Sequence, residues 1–187
     1  NGAANGTANL ANGVRLLADG ITASIDAEIG SVFGDFNTIS NNGLGTGGGH
    51  GIRIETENDG TVVGAITRNI LTDHDFGQGI SVVADSGTVD FGTLPGRRIF
   101  NNLIDDNTDA GISILLQGDA LGRFIIASNQ ITSTGDGANP NLDGDGIHVR
   151  TESVAELALL TIDGNLIGVD IDGNNAGNIG DGIEIEM

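Results

Sequence analysis

The chain has no cysteine, no lysine, no tryptophan and no tyrosine, and its 187 residues include only two prolines and one methionine. Without cysteine there is no disulfide framework and no thiol nucleophile, a composition compatible with secretion that does not require it. Without tryptophan or tyrosine, the aromatic platform on which sugar rings commonly pack is reduced to six phenylalanines. With seven arginines as the only cationic residues besides histidine, against 26 acidic residues, the formal net charge is −19. That charge excludes nucleic acid and anionic membrane surfaces as partners. No apolar run approaches the ~20 residues a membrane helix needs, so membrane insertion is not expected.

What the chain does have is glycine, 32 residues of it, in a pattern. Glycine followed by alternating aliphatics occurs as Gly13-Val14-Arg15-Leu16, Gly51-Ile52-Arg53-Ile54, Gly79-Ile80-Ser81-Val82, Gly111-Ile112-Ser113-Ile114, Gly146-Ile147-His148-Val149 and Gly182-Ile183-Glu184-Ile185. These copies lie 38, 28, 32, 35 and 36 residues apart. Between each pair stands a second signature, an asparagine with Ile or Leu two residues on: Asn37, Asn69, Asn102, Asn129 and Asn165. Four of those asparagines also follow an isoleucine by three residues, at Ile66, Ile99, Ile126 and Ile162. Two signatures alternating in strict order with a slipping period describe a solenoid whose loops vary in length.

Each repeat reads as three short strands and three corners. Strand one is the Gly-apolar-x-apolar unit, strand two ends at the isoleucine before the asparagine, and strand three begins at the asparagine. Alternation sends Ile112, Ile114, Ile126, Ile131, Ile147 and Val149 inward and Ser113, Gln130 and His148 outward. Stacked turns then place equivalent side chains ~4.8 Å apart in one continuous core. Ser153 to Leu160 has helical composition but falls where the repeat requires a strand, and is assigned as one. Most phenylalanines adjoin strands and are expected in the core.

The asparagines suit a corner for two reasons. Asn tolerates positive φ better than any residue except Gly, and its amide carries a donor and an acceptor, so stacked copies can form a ladder. On these residues the chain resembles the right-handed parallel β-helix proteins, the pectate-lyase-like superfamily and its bacterial surface relatives, over about residues 5 to 187. "GNLIGVDIDGNNAGNIGDGIEI" is similar to units reiterated in large secreted bacterial repeat proteins. The resemblance implies an all-β, right-handed parallel β-helix of about five to six turns, a secreted or cell-surface bacterial setting, and a structural or adhesive role.

"NGTANLANGVRL" from Asn5 and "NNAGNIGDGIEI" from Asn174 match in phase at Asn, Asn and Gly. Residues 1–187 are therefore expected to be a single β-helix domain, a segment or processed subunit of a longer repetitive protein. The expected partner is a second copy, associating end to end into filaments, or neighbouring repeats of the same chain, with a cell-surface glycan or protein as a further ligand. Like charges at this density repel unless cations intervene, which suits a saline or calcium-rich exterior.

Two loops sharpen that expectation. Asn139, Asn141, Asp143 and Asp145 alternate in the Gly-rich stretch before Gly146, and Asp170, Asp172, Asn174, Asn178 and Asp181 recur before Gly182. Oxygen ligands at alternate positions of a Gly-rich loop are how proteins wrap Ca²⁺, although such residues also simply shape turns. The twelve-residue EF-hand pattern is absent, since Asn175 and Asp181 stand where it needs Gly and Glu. Turn-shaping is the reading favoured for these residues, with calcium the cofactor they would take if they bind a metal.

The competing reading is a carbohydrate-active β-helix enzyme: a lyase, hydrolase or epimerase. Gly49-His50-Gly51 resembles an element of polygalacturonases, but the carboxylates and the basic clamp that accompany it there have no counterparts here. Asp73-His74-Asp75 could serve as an acid/base cluster; it lacks a tyrosine partner and reads as a polar turn. The outward column of strand one, Arg15, Arg53, Ser81, Ser113, His148 and Glu184, reads as a mixed surface rather than a substrate groove.

Overall fold

The computed structural model describes residues 11–31, 33–43, 49–75, 77–135, 144–169, 172 and 174–187. The first turn is β1 (Val14–Asp19), β2 (Ser24–Gly30) and β3 (Asn37–Ser40). The second is β4 (Ile52–Glu57), β5 (Thr61–Thr67) and β6 (Asn69–His74). The third is β7 (Ile80–Ala84), then β8 (Thr88–Phe91) and β9 (Ile99–Phe100) sharing one side, then β10 (Leu103–Asn107). The fourth is β11 (Ile112–Leu116), β12 (Leu121–Ala127) and β13 (Gln130–Thr132). The fifth is β14 (Ile147–Thr151), β15 (Glu156–Asp163) and β16 (Leu166–Ile167), and β17 (Ile183–Glu186) begins a sixth.

The strands form three sheets ordered β1-β4-β7-β11-β14-β17, β2-β5-β8-β12-β15 and β3-β6-β10-β13-β16, and every pairing between named strands is parallel. The chain is a parallel β-helix, all-β among the described residues. The helical-looking stretch before Leu160 runs into β15 as a strand. β8 and β9 depart from three strands per turn because Asp90 caps an excursion, its carboxylate accepting N–H bonds from Gly92 and Thr93 at 2.9 and 2.8 Å.

Register builds the core. Ile52, Ile80, Ile112 and Ile147 stack in one column, Ile54, Val82, Ile114 and Val149 in the next, and Ile39, Leu71, Ile104 and Ile131 on the third side, all buried. Aliphatic columns suit this interior because β-branched side chains pack well on a pleated surface. The expectation for the phenylalanines needs correction. Phe91 and Phe124 are core, stacked with ring centroids 6.5 Å apart, but Phe33 is 86 % exposed and Phe36 lies on the surface under the Arg68 guanidinium. Phe100 takes the outward phase next to inward Ile99, capped by Arg98 at 3.9 Å from its ring centroid. Phe76 lies outside the described residues. Being near a strand does not decide burial; phase along the strand does.

Asparagines 37, 69, 102, 129 and 165 form an unbroken side-chain ladder. Each Nδ2 donates to the Oδ1 of the next rung, at 3.2, 3.0, 2.9 and 2.9 Å in order. The left-handed residue of this corner is not the asparagine, as the sequence suggested, but the residue before it: Arg68 (φ 54°), Asn101 (φ 56°), Ser128 (φ 54°) and Gly164 (φ 60°). The corner turns one residue earlier, which leaves the asparagine free to turn its amide inward toward the carbonyls of the strand-two ends, Ile66, Ile99 and Ile126. A second polar column, Asn42, His74, Asn107 and Thr134, stands five residues further along each turn and is fully buried. Its mixed residue types gave no repeat signal.

The glycine that precedes strand one is required for space. A Cβ on Gly111 would run into Ile131 Cγ2 and lie 2.8 Å from the Gly146 carbonyl oxygen, and the same crowding meets Gly79 from Ile104 and the Gly111 carbonyl. At the open edge Gly182 meets nothing closer than Ile167 Cγ2 at 3.8 Å. Gly111→Ala is therefore expected to destabilise the fold by about 1–3 kcal/mol, and Gly182→Ala by less than about 0.5 kcal/mol. Denaturant midpoints of the two variants test this; equal shifts would mean the column is not crowded.

Candidate functional site

The outer face of the strand-one sheet carries two columns. Register aligns Arg15, Arg53, Ser81, Ser113, His148 and Glu184 in the first, and Leu17, Glu55, Val83, Leu115, Arg150 and Glu186 in the second. The middle is small or aliphatic, so the chemistry gathers at the two ends.

At the first-turn end, Glu55 accepts hydrogen bonds from Arg15 Nε and, at 2.8 Å, from Arg53 Nε. Burial pushes its carboxyl upward, but these two guanidinium bonds outweigh that and hold it below the ordinary value. His50 is buried beside them, its Nδ1 accepting the Gln78 N–H at 3.0 Å. Burial first, then the Arg53 charge, pushes its pKa down to about 4. His74 is likewise held near 4 by burial. Alternation along β6 puts His74 in the interior, where its Nδ1 faces the Asn42 amide, while exposed Asp73 points the other way. Asp73, His74 and Asp75 thus do not converge on a common point.

The fifth-turn end is different. Asp145 precedes the glycine corner into β14, His148 is the first outward residue after it, and Glu184 is His148's register partner on β17. Asp145 is 2 % exposed; its Oδ1 accepts the Asp181 N–H at 2.6 Å, and its Oδ2 is buried with no hydrogen-bond partner among the described residues. That Oδ2 lies 3.8 Å from His148 Nδ1, while His148 Nε2 lies 3.9 Å from Glu184 Oε2 and 3.7 Å from Glu186 Oε2. One ligand atom each from Asp145, His148 and Glu184 falls within 4.8 Å of the others. Burial pushes the Asp145 carboxyl up to about 6; the Asp181 N–H opposes this and the neighbouring Glu184 carboxyl reinforces it. Arg150 closes the outer side, 2.8 Å from Glu152 and 3.3 Å from Glu186.

Of the residues the loops nominated for calcium, Asn139, Asn141, Asp143 and Asp170 lie outside the described residues. The described loop ends do stack, with the Gly146 N–H on the Asp181 carbonyl at 2.9 Å and the Gly180 N–H on the Gly144 carbonyl at 3.1 Å. Asp145 enters the cluster, Asp181 supports it through its backbone, and Asp172 and Asn174 are exposed. The sequence pointed to Asp145 and to the His148–Glu184 column separately. What could have joined them is the offset from the corner glycine, which brings the residue before it and the residue two after it onto one face.

A groove of about 400 Å³ crosses the outer face of the strand-three sheet between Phe36, Ile70, Leu103 and Leu166. Among the described residues its other walls are Asn, Ser, Gln and Gly. No protein-family model, curated protein or solved structure matches the chain.

Proposed function

We propose that this chain is a structural or adhesive β-helix module of the bacterial cell exterior, built to be continued head to tail by a second copy of itself. The polarity of the asparagine ladder carries the reading. Every rung donates forward. Asn165 has its Oδ1 filled by Asn129 and spends one Nδ2 hydrogen on the Ile126 carbonyl at 2.8 Å. Asn37 donates to Asn69, and its Oδ1 accepts no bond among the described residues. Among the described residues the ladder thus ends in a spare donor and begins with a spare acceptor, a match only head to tail.

Apolar surface and charge agree with that polarity. The first turn opens on a hollow of about 620 Å³ lined by Val14, Ile29, Asn37 and Ile39. At the other end, Ile183 and Ile185, in the phase of the core columns, are 46 % and 47 % exposed. Laid in the register that β14 and β17 already use, an incoming β1 puts Val14 on Ile183, Leu16 on Ile185 and Arg15 beside Glu184, a favourable cross-strand charge pair. Such a contact is heterologous and does not close, so it produces filaments rather than dimers. The net charge of −19 opposes it at low ionic strength. The cysteine-free, acidic composition and the repeat resemblance support the exterior setting, where calcium or salt would screen that charge.

Sedimentation across a salt series tests the proposal. Monomer at low salt is expected to give way to a linear ladder of oligomers as salt rises, and Ile185→Asp, which places a charge on the stacking face of a half-exposed edge, is expected to restore the monomer. A monomer at every salt and protein concentration overturns it.

A further inference from the structure

We infer that Asp145, His148 and Glu184 form a binding site for one divalent transition-metal ion of the zinc class, clamping the edge strand β17 to the corner that leads into β14. Three observations converge on this. Geometry comes first: the three ligand atoms lie within 4.8 Å of one another, drawn from two adjacent turns, with His148 and Glu184 set by backbone register and Asp145 by the corner before Gly146. A tetrahedral zinc site with bonds near 2.1 Å has ligand–ligand edges of ~3.4 Å. The 3.8 Å from Asp145 Oδ2 to His148 Nδ1 and the 3.9 Å from Glu184 Oε2 to His148 Nε2 involve opposite ring nitrogens, of which one ion takes one, so closing to that edge from within 4.8 Å needs side-chain shifts of about 1 Å.

Donor chemistry comes second. One imidazole nitrogen with two carboxylate oxygens suits Zn²⁺, Co²⁺ and their neighbours. Calcium asks for six to eight hard oxygens and gains nothing from a histidine. Glu186 Oε2, 3.7 Å from His148 Nε2, is a further carboxylate beside the cluster.

The third observation is Asp145 itself. Its Oδ1 is fixed by the Asp181 N–H, an outer-shell bond of the kind that orients metal ligands. Its Oδ2 is buried without a hydrogen-bond partner among the described residues and lies 3.8 Å from His148 Nδ1. A buried acceptor left unpaired beside a second carboxylate is unfavourable unless a proton or a cation stands between them. A divalent ion between the two carboxylates would supply two units of positive charge there. Among the described residues β17 pairs with β14 alone, so an ion bridging Glu184 to Asp145 and His148 is a staple at the sheet's edge.

The inference does not rest on head-to-tail association, and the experiment is run with sedimentation in parallel so the two can fail separately. Chelator-stripped full chain at about 0.15 M monovalent salt, where long-range screening is strong, is titrated with Co²⁺. A visible ligand-field band of a low-coordinate nitrogen/oxygen site is expected to saturate at one equivalent, to be displaced by Zn²⁺, and to persist in excess Ca²⁺. His148→Ala is expected to abolish the band and Glu184→Gln to weaken binding at least about tenfold. Equal competition by Ca²⁺, or an unchanged band in His148→Ala, overturns the site. If either variant fails to fold, the Zn²⁺ against Ca²⁺ competition on the parent chain decides alone.

Discussion

Replacing Phe124 with alanine is expected to remove about 3–5 kcal/mol of unfolding free energy. Phe124 is fully buried on β12, and register places Phe91 before it and Leu160 after it in one column. In a helical bundle, neighbouring elements can close over a lost ring. Here the rungs above and below are held at strand spacing, ~4.8 Å, by their own backbone bonds, so the column cannot contract and the cavity stays. Phe33→Ala, on a side chain 86 % exposed, is the matched control and should change stability by less than about 0.5 kcal/mol. Denaturant titrations of both variants measure the difference. A Phe124→Ala effect below about 1 kcal/mol would mean that the interior repacks.

The second large effect is expected at the middle rung of the ladder. The Asn129 amide donates to the Ile99 carbonyl at 3.1 Å and to Asn165 at 2.9 Å, and its Oδ1 accepts from the Asn102 backbone N–H at 3.0 Å and the Asn102 amide at 2.9 Å. Asn129→Ala leaves the buried Asn102 N–H with no acceptor and strips Ile99 of its side-chain donor. At about 1–3 kcal/mol per orphaned group, the loss is about 3 kcal/mol. Because the left-handed residue is Ser128 and not Asn129, none of this is backbone strain, and Asn129→Gly should do no better than alanine. A glycine variant markedly more stable than the alanine variant would return the strain to position 129.

Much of this was legible beforehand. The Gly-apolar-x-apolar unit located all six strands of one sheet, because the glycine is excluded from having a side chain by its own turn and the next. The Asn-x-Ile unit located the third sheet, because the amide is consumed by neighbours above and below. What failed did so locally. The positive φ fell one residue before the asparagine, since the residue that turns a corner and the residue that caps it need not coincide. Phe33, Phe36 and Phe100 were misplaced because aromatic composition does not reveal phase. The interior column of Asn42, His74, Asn107 and Thr134 escaped notice because a buried polar position needs only a group that can bond there, and several residue types qualify.

The repeat by itself determined the parallel stacking, the core columns and the outward row from Arg15 to Glu184, since all of these depend on local alternation and a recurring corner. Only the tertiary structure decided that Asp145 joins His148 and Glu184. Those residues are separated by a glycine corner and by a full turn of chain, and only the stacking of β17 on β14 in the register Ile147↔Ile183 brings them together. Periodicity specifies which face a residue takes; the stacking of turns specifies which residues of the corners and strands meet on it.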